Sequence, residues 1–204
     1  MNARFMKEIK KTKLLIVEGK EEVRFFEALL KHMNIDSVQV EETQGKPKLQ
    51  SFIKTLPVVP NYETVESIAI ICDADADPGS AFQSIIDALK KAGLNCPDSH
   101  GAFSQDHPKI GIFIMPDGLN PGMLEDLCLN ALLHDPAMRC VEEYFNCIVK
   151  TGNSEPKPIA KAKVYAWLAS RANPVRRVGE AAEAGIWSWE HPAFKNLLAF
   201  LKKI

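Results

Sequence analysis

No two cysteines in this 204-residue chain stand as C-x-x-C, and their total of five is odd. That excludes a disulfide framework and a structural zinc site. Cys72, Cys96, Cys128, Cys140 and Cys147 fall mostly in apolar stretches, where a thiol packs as a small hydrophobe, so burial is expected of them. Long apolar runs are also missing. The longest, Ile110–Met115, has six residues including Gly111, far short of the roughly 18–20 that a membrane span needs. The N-terminal stretch MNARFMKEIKKTK is basic without an apolar core segment, which argues against a secretory signal. The expectation is a cytoplasmic protein with no membrane partner. No internal repeat or low-complexity segment stands out.

What is present suits a folded globular protein: 46% hydrophobic and 25% charged residues, with a net charge of −1. The near-neutral total hides an asymmetry. Residues 1–150 carry 16 basic and 22 acidic side chains, whereas residues 151–204 carry 9 and 4. A basic C-terminal piece beside an acidic body is either a surface for a polyanion or a solvated helical face.

Four short apolar runs read as strands: Lys13–Val17, Ser37–Glu42, Ser67–Cys72 and Lys109–Met115. Helical spacing follows each of them. Val23, Phe26, Leu30 and Met33 share one face; Leu49, Phe52, Ile53 and Leu56 mark a second helix; Phe82, Ile85, Ile86 and Leu89 a third; Leu124, Leu127, Cys128 and Leu132 a fourth. Asp77 is placed to cap the third helix, with Pro78 at its first position. Apolar strands alternating with amphipathic helices predict an α/β fold with a mainly parallel four-stranded sheet covered on both faces. After residue 134 only helices are expected, over 136–149, 159–171 and 190–203. The expected organisation is an α/β domain over 1–134 and a helical extension or cap over 135–204.

The carboxylates have a telling position. Glu18 directly follows the first strand, Asp73 and Asp75 the third, and Asp117 the fourth. Parallel strands put all their carboxyl ends on one edge, where open α/β folds bind ligands. Glu21 and Glu22 lie in the next helical turn on that edge, and Glu125 and Asp126 begin the fourth helix there. Like charges so gathered take up protons or bind a cation, and oxygen ligands without His or Cys favour Mg²⁺ or Mn²⁺ over zinc. Several of these residues also have a plain structural reading. Asp77 suits a helix cap, Asp117-Gly118 a turn, Glu21 and Glu22 the positive end of their own helix, and Glu125 a rim charge. Glu18 and the Asp73/Asp75 pair fit no such role.

Other motifs fail on the same residues. Asp73-Ala-Asp75-Ala-Asp77 opens like an EF-hand loop, but Pro78 replaces the glycine, Ser84 the final Glu, and a strand precedes it. Val17-Glu18-Gly19-Lys20 lacks P-loop spacing. A phosphatase of the haloacid-dehalogenase type also uses Asp-x-Asp after a strand, yet would leave Glu18 unexplained.

LLIVEGKEE, followed about fifty residues later by IAIICDADAD, resembles the Toprim domain shared by topoisomerases, bacterial primases, small nucleases and recombination proteins. Glu18-x-x-x-Glu22 is similar to the Glu-x-x-x-Glu of the overcoming-lysogenisation-defect nucleases. Pro121-Gly-Met-Leu-Glu125-Asp126 is similar to a segment of small stand-alone Toprim proteins. With only Tyr62, Tyr144 and Tyr165 and no zinc-module cysteine spacing, neither a topoisomerase cleavage domain nor a primase zinc module nor an ATPase domain is expected here. The resemblance therefore implies a Rossmann-like Toprim fold over about 11–134 and a free-standing, Mg²⁺- or Mn²⁺-dependent nuclease acting on DNA or RNA. On that reading Asp73, Asp75, Glu18 and Glu125 hold metal, and Glu18 with Glu22 handles the proton of the attacking water. Lys20, Arg24, Arg176 and Arg177 are expected to offset phosphate charge. Trp187 and Trp189 are candidate stacking surfaces for bases, and Trp167 is expected in the core. The alternatives are a non-catalytic Toprim scaffold that binds nucleic acid or a partner protein, and an Asp-x-Asp phosphatase. Assembly with a second copy is a further expectation.

Overall fold

The computed structural model describes residues 6–204, so the first five residues of the basic N-terminal stretch lie outside the described residues. The chain runs β1 (Lys13–Val17), α1 (Lys20–His32), β2 (Val38–Glu42), α2 (Lys46–Thr55), β3 (Ser67–Asp73), α3 (Pro78–Lys91) and β4 (Lys109–Met115). It continues with α4 (Leu124–Asn130), α5 (Pro136–Lys150), α6 (Ile159–Ala169), α7 (Val178–Glu183) and α8 (Lys195–Leu201). The four strands form one sheet in the order β2-β1-β3-β4, with every neighbouring pair parallel. This is the expected α/β, Rossmann-like fold.

The order of the strands dictates where the helices go. The chain steps one way from β1 to β2, then the other way to β3 and β4. Right-handed crossovers therefore place α1 on one face and α2 and α3 on the other. Alternating side chains divide accordingly. Leu14, Ile16, Ile68, Ile70, Ile110 and Ile112 pack with Phe52, Ile53, Ile85 and Leu89 of α2 and α3. Leu15, Val17, Ala69, Ile71, Phe113 and Met115 face α1. One helix cannot cover four strands, and the C-terminal helices complete that face. Leu127, Val164, Trp167, Phe194 and Phe200 belong to the same buried cluster as Phe25 and Phe26 of α1. The Phe200 ring lies 5.4 Å from that of Phe113.

Three expectations need correction. Helix α7 has no apolar periodicity to announce it. Its sequence, VGEAAE, is helical because small residues let it lie directly against α1: a Cβ on Gly179 would sit 2.7 Å from the Glu21 carbonyl oxygen. Cys140 and Cys147 are exposed, whereas Cys72 and Cys128 are buried. Helix α5 turns only Val141 and Phe145 fully inward, and the two thiols fall off that stripe. Trp187 and Trp189 are 4% and 6% exposed, so they offer no surface to a base. Trp187 stacks on Trp167 at 5.9 Å, and its Nε1 donates to the Val178 carbonyl at 3.0 Å. Among the described residues no helix is long and apolar enough to cross a membrane.

Candidate functional site

The strand order reverses between β1 and β3, and open α/β sheets place their ligand crevice at the carboxyl ends of such a switch. Glu18 and Asp73 meet there: Glu18 Oε1 accepts the Asp73 backbone N–H at 2.9 Å. The Asp73 carboxylate in turn accepts the N–H of Leu124, the first residue of α4, at 3.0 Å. Asp75 adopts a left-handed φ of 54° and exchanges backbone hydrogen bonds of 2.9 and 2.8 Å with Gly122. Gly122 has φ 140°, which suits glycine. This short bridge brings the exit of β3 alongside the start of α4, where Glu125 is 6% exposed. Glu22 stands one helical turn beyond Glu18.

The electrostatics follow from that crowding. Burial pushes the Asp73 carboxyl up to about 8, reinforced by the charges of Glu18, Glu22, Glu125 and Asp75. Burial raises Glu18 against the pull of the Asp73 N–H and the Lys46 ammonium. Burial raises Glu22 too, and Glu125 and Glu18 add to it. Each shift records the cost of gathering negative charge away from water.

By donor chemistry the five carboxylates suit a hard divalent cation. Their spacing does not enclose one: among the described residues no three His, Cys, Asp or Glu side chains stand as a coordinating group. Ammonium groups hold two of the carboxylates instead. Lys46 Nζ lies 2.6 Å from Asp75 Oδ2, and Lys161 Nζ 3.3 Å from Glu125 Oε1.

The remaining candidates fall into two groups. Asp77 caps α3 by accepting the Ser80 N–H at 3.1 Å, and Asp117 accepts the N–H groups of Leu119 and Asn120 within its own turn. Asp126 accepts the Met123 N–H at the start of α4. These carboxylates serve the backbone. Lys20 is exposed on an open groove of about 550 Å³ that Glu18, Glu22, Glu42 and Gly45 also line. Arg24 is held by Glu183, Glu180 and Glu21 rather than standing free. Arg177 is exposed and lies 3.5 Å from Glu21, which also accepts the Gly179 N–H at 3.2 Å. Arg176 is exposed beside it, its backbone N–H donated to Glu180.

Residues 12–204 match a family described as "Protein of unknown function (DUF3226)". The chain belongs to that family. No curated protein matches its sequence. Among solved structures it is similar to the hypothetical protein PH0156 from Pyrococcus horikoshii OT3, with a TM-score of 0.60 and 15% identity over 96% of this chain and 95% of that one. The C-terminal region of the OLD protein from Xanthomonas campestris pv. campestris gives a TM-score of 0.40 at 13% identity, covering 95% of this chain and 86% of that one. The corresponding region from Burkholderia pseudomallei gives 0.41 at 15%, covering 95% and 89%. The first of these likenesses supports the fold. The family match spans the sheet and all the C-terminal helices, which agrees with their shared core.

Two residues of this DUF3226 site were missed by sequence reasoning. Lys46 opens α2 just past the carboxyl end of β2. The rule that singled out Glu18 and Asp73 would have found it, had it been applied to the second strand as well. Lys161 reaches Glu125 from 36 residues away, on a helix whose placement no local signal reveals.

Proposed function

We propose that the chain is a Toprim-type phosphodiesterase that cuts nucleic acid with the help of Mg²⁺ or Mn²⁺. The observation that carries this reading is the meeting of Glu18 with Asp73 at the switch point of the sheet, with Glu22, Asp75 and Glu125 alongside. The Glu-Gly and Asp-x-Asp motifs in their family order support it. Asp73 and Asp75, with Glu18 and Glu125, would hold the cation, which when bound offsets the charge that develops on a scissile phosphate. Glu18 receives the proton of the attacking water. One of its oxygens accepts the Asp73 N–H, which leaves the other for the proton, and burial raises the carboxyl before any cation binds. Glu22, raised in the same way, stands next to it as a second proton acceptor. Lys20 at the mouth of the groove, with Arg176 and Arg177, draws the polyanion toward an otherwise repulsive centre.

Incubating the protein with plasmid, single-stranded DNA and structured RNA in Mg²⁺, Mn²⁺ or EDTA tests the proposal. Cutting that needs metal and is lost in Asp73→Asn is the expected result. A second reading, a nucleic-acid-binding scaffold without catalysis, is favoured by the ion pairs of Lys46 and Lys161, which balance part of the cluster without any metal. Binding without cutting in any metal would establish the scaffold. Release of phosphate from small esters alone would favour the phosphatase.

A further inference from the structure

The two edges of the sheet are finished differently. At β4 the chain covers its own edge. The Gly101 N–H donates to the Ile112 carbonyl at 2.8 Å and the Ser104 N–H to the Ile110 carbonyl at 2.9 Å, with Phe103 bridged antiparallel to Gly111. Among the described residues β2 pairs with β1 alone. Thr43, one residue past β2, points its N–H inward to the Val17 carbonyl at 2.9 Å. Backbone direction alternates along a strand, so Val38, Val40 and Glu42 turn their N–H and C=O groups outward. The Val38 carbonyl accepts Lys11 Nζ at 3.1 Å. The outward groups of Val40 and Glu42 meet no backbone partner among the described residues. Beside them an open groove of about 840 Å³ lies between β2 and α1, lined in part by Leu30, Ile35, Val38 and Val40.

We infer that β2 pairs antiparallel with β2 of a second copy of this chain, joining the two sheets across a two-fold axis at Val40. A row of unpaired N–H and C=O groups is a template for another strand. The charges along this edge select which strand. Lys7, Lys10, Lys11 and Lys31 outnumber Glu8 and Asp36 where the groove meets the start of β2, whereas Glu41 and Glu42 end the strand. A two-fold axis needs a surface that complements itself. Centred on Val40, it sets Val38 opposite Glu42 and the lysine-rich start against the glutamates of the other copy. A parallel alignment would set like charges opposite one another, which is destabilising. Because β4 is covered, addition stops at two copies. Pairing at this edge requires no metal and no catalysis. It also carries the lysines of the second copy toward Glu42, which lines the groove shared by Glu18, Lys20 and Glu22.

Sedimentation velocity of the full chain over a range of concentrations tests the pairing. Wild type should dimerise with a Kd of about 1–10 µM. Glu41→Lys with Glu42→Lys makes both ends of the edge basic, and Lys10→Glu with Lys11→Glu makes both acidic. Either double variant alone should dimerise at least about tenfold more weakly. An equimolar mixture of the two should return to within about threefold of wild type, which misfolded chains could not do. Val40→Pro removes an outward N–H without touching the ladder to β1, and should be monomeric. A wild type that stays monomeric at about 100 µM would overturn the inference, leaving the edge to solvent or to the chain's own first residues. Variants that all dimerise like wild type would overturn it by placing the interface elsewhere. Weakened double variants that fail to rescue each other would overturn the antiparallel pairing.

Discussion

Glu18 and Asp73, 55 positions apart in sequence, are joined by a hydrogen bond between the side chain of one and the backbone of the other. The register of β1 on β3, which pairs Ile16 with Ile70, brings the two residues to adjacent strand ends. Because the donor is the Asp73 N–H, the bond survives any change to the Asp73 side chain except proline. The two carboxylates can therefore be altered one at a time without dismantling the edge on which they sit.

Asp73→Asn should stabilise the metal-free protein and flatten its dependence on pH. The folded-state value of Asp73 is raised to about 8 from an ordinary value of 3.8. Between those limits the folded state holds more proton than the unfolded one, so this residue's contribution is full below about pH 4 and is lost as pH rises toward 8. Melting temperatures of wild type and Asp73→Asn across that range, in EDTA, check this. The gap should widen with pH, by about 2–4 °C for each kcal/mol. Equal slopes for the two proteins would contradict a strained carboxylate.

Glu18→Gln separates the base from the scaffold. The amide oxygen of glutamine still accepts the Asp73 N–H but cannot take a proton from water. Melting temperature in EDTA should hold or rise at neutral pH, because burial raises the Glu18 carboxyl and its charge adds to the shift of Asp73, while the cutting rate falls by about 10²–10⁴-fold. A variant that cuts at the wild-type rate would assign the proton to another group, with Glu22 the first to examine.

How much of this was legible in the sequence divides along physical lines. The four strands and the first four helices were, because each is an apolar run or an amphipathic repeat, and the parallel order carried Glu18, Asp73 and Asp75 to one edge. Helix α7 was not, since Ala181 and Ala182 pack closely through their smallness and leave no hydrophobic stripe to read. The tryptophans misled for a related reason. A Trp near basic residues suggests a stacking surface, but Trp187 and Trp189 cover the face of the sheet that α1 alone leaves open. Side-chain reach was the least visible. Nothing local ties Lys161 to Glu125, or Arg24 to Glu180 and Glu183, because those pairs exist only once the C-terminal helices return to α1.

Acid should destabilise the protein through His100. Burial lowers this imidazole from its ordinary value of 6.5, with Asp117 acting weakly the other way. Its Nδ1 accepts the Ile114 N–H at 3.0 Å and so must stay unprotonated. The ring also packs 4.6 Å from Phe113. Below about pH 6.5 the unfolded chain binds the proton more readily, so stability is full above that value and falls as pH drops toward the folded-state value. Asp73 acts in the opposite direction over part of the same range, so the comparison belongs in an Asp73→Asn background. There, His100→Asn, which keeps an acceptor that cannot titrate, should melt lower at pH 7 yet lose less between pH 6.5 and 5.5. A steeper loss in the variant would show that His100 is not the acid-sensitive group.

Nucleic-acid binding should depend on Arg176 and Arg177 and be almost purely electrostatic. Both side chains are exposed, and Arg177 lies 3.5 Å from Glu21 in the first turn of α1, one position from Glu22. With all three tryptophans buried, none of them is available to stack on a base, and phosphate contacts are expected to carry most of the affinity. Each phosphate neutralised releases condensed counterions, so the logarithm of the binding constant falls with the logarithm of salt concentration in proportion to the contacts made. Changing Arg176 and Arg177 together to Ala should weaken binding and flatten that slope by about one to two units. Asp73→Asn, which removes negative charge from the centre, should bind as well as wild type or better while failing to cut. Binding isotherms at several salt concentrations distinguish the two effects. An unchanged slope in the double arginine variant would move the polyanion to the Lys20 side of the groove, where Lys20→Ala should then reproduce the predicted change.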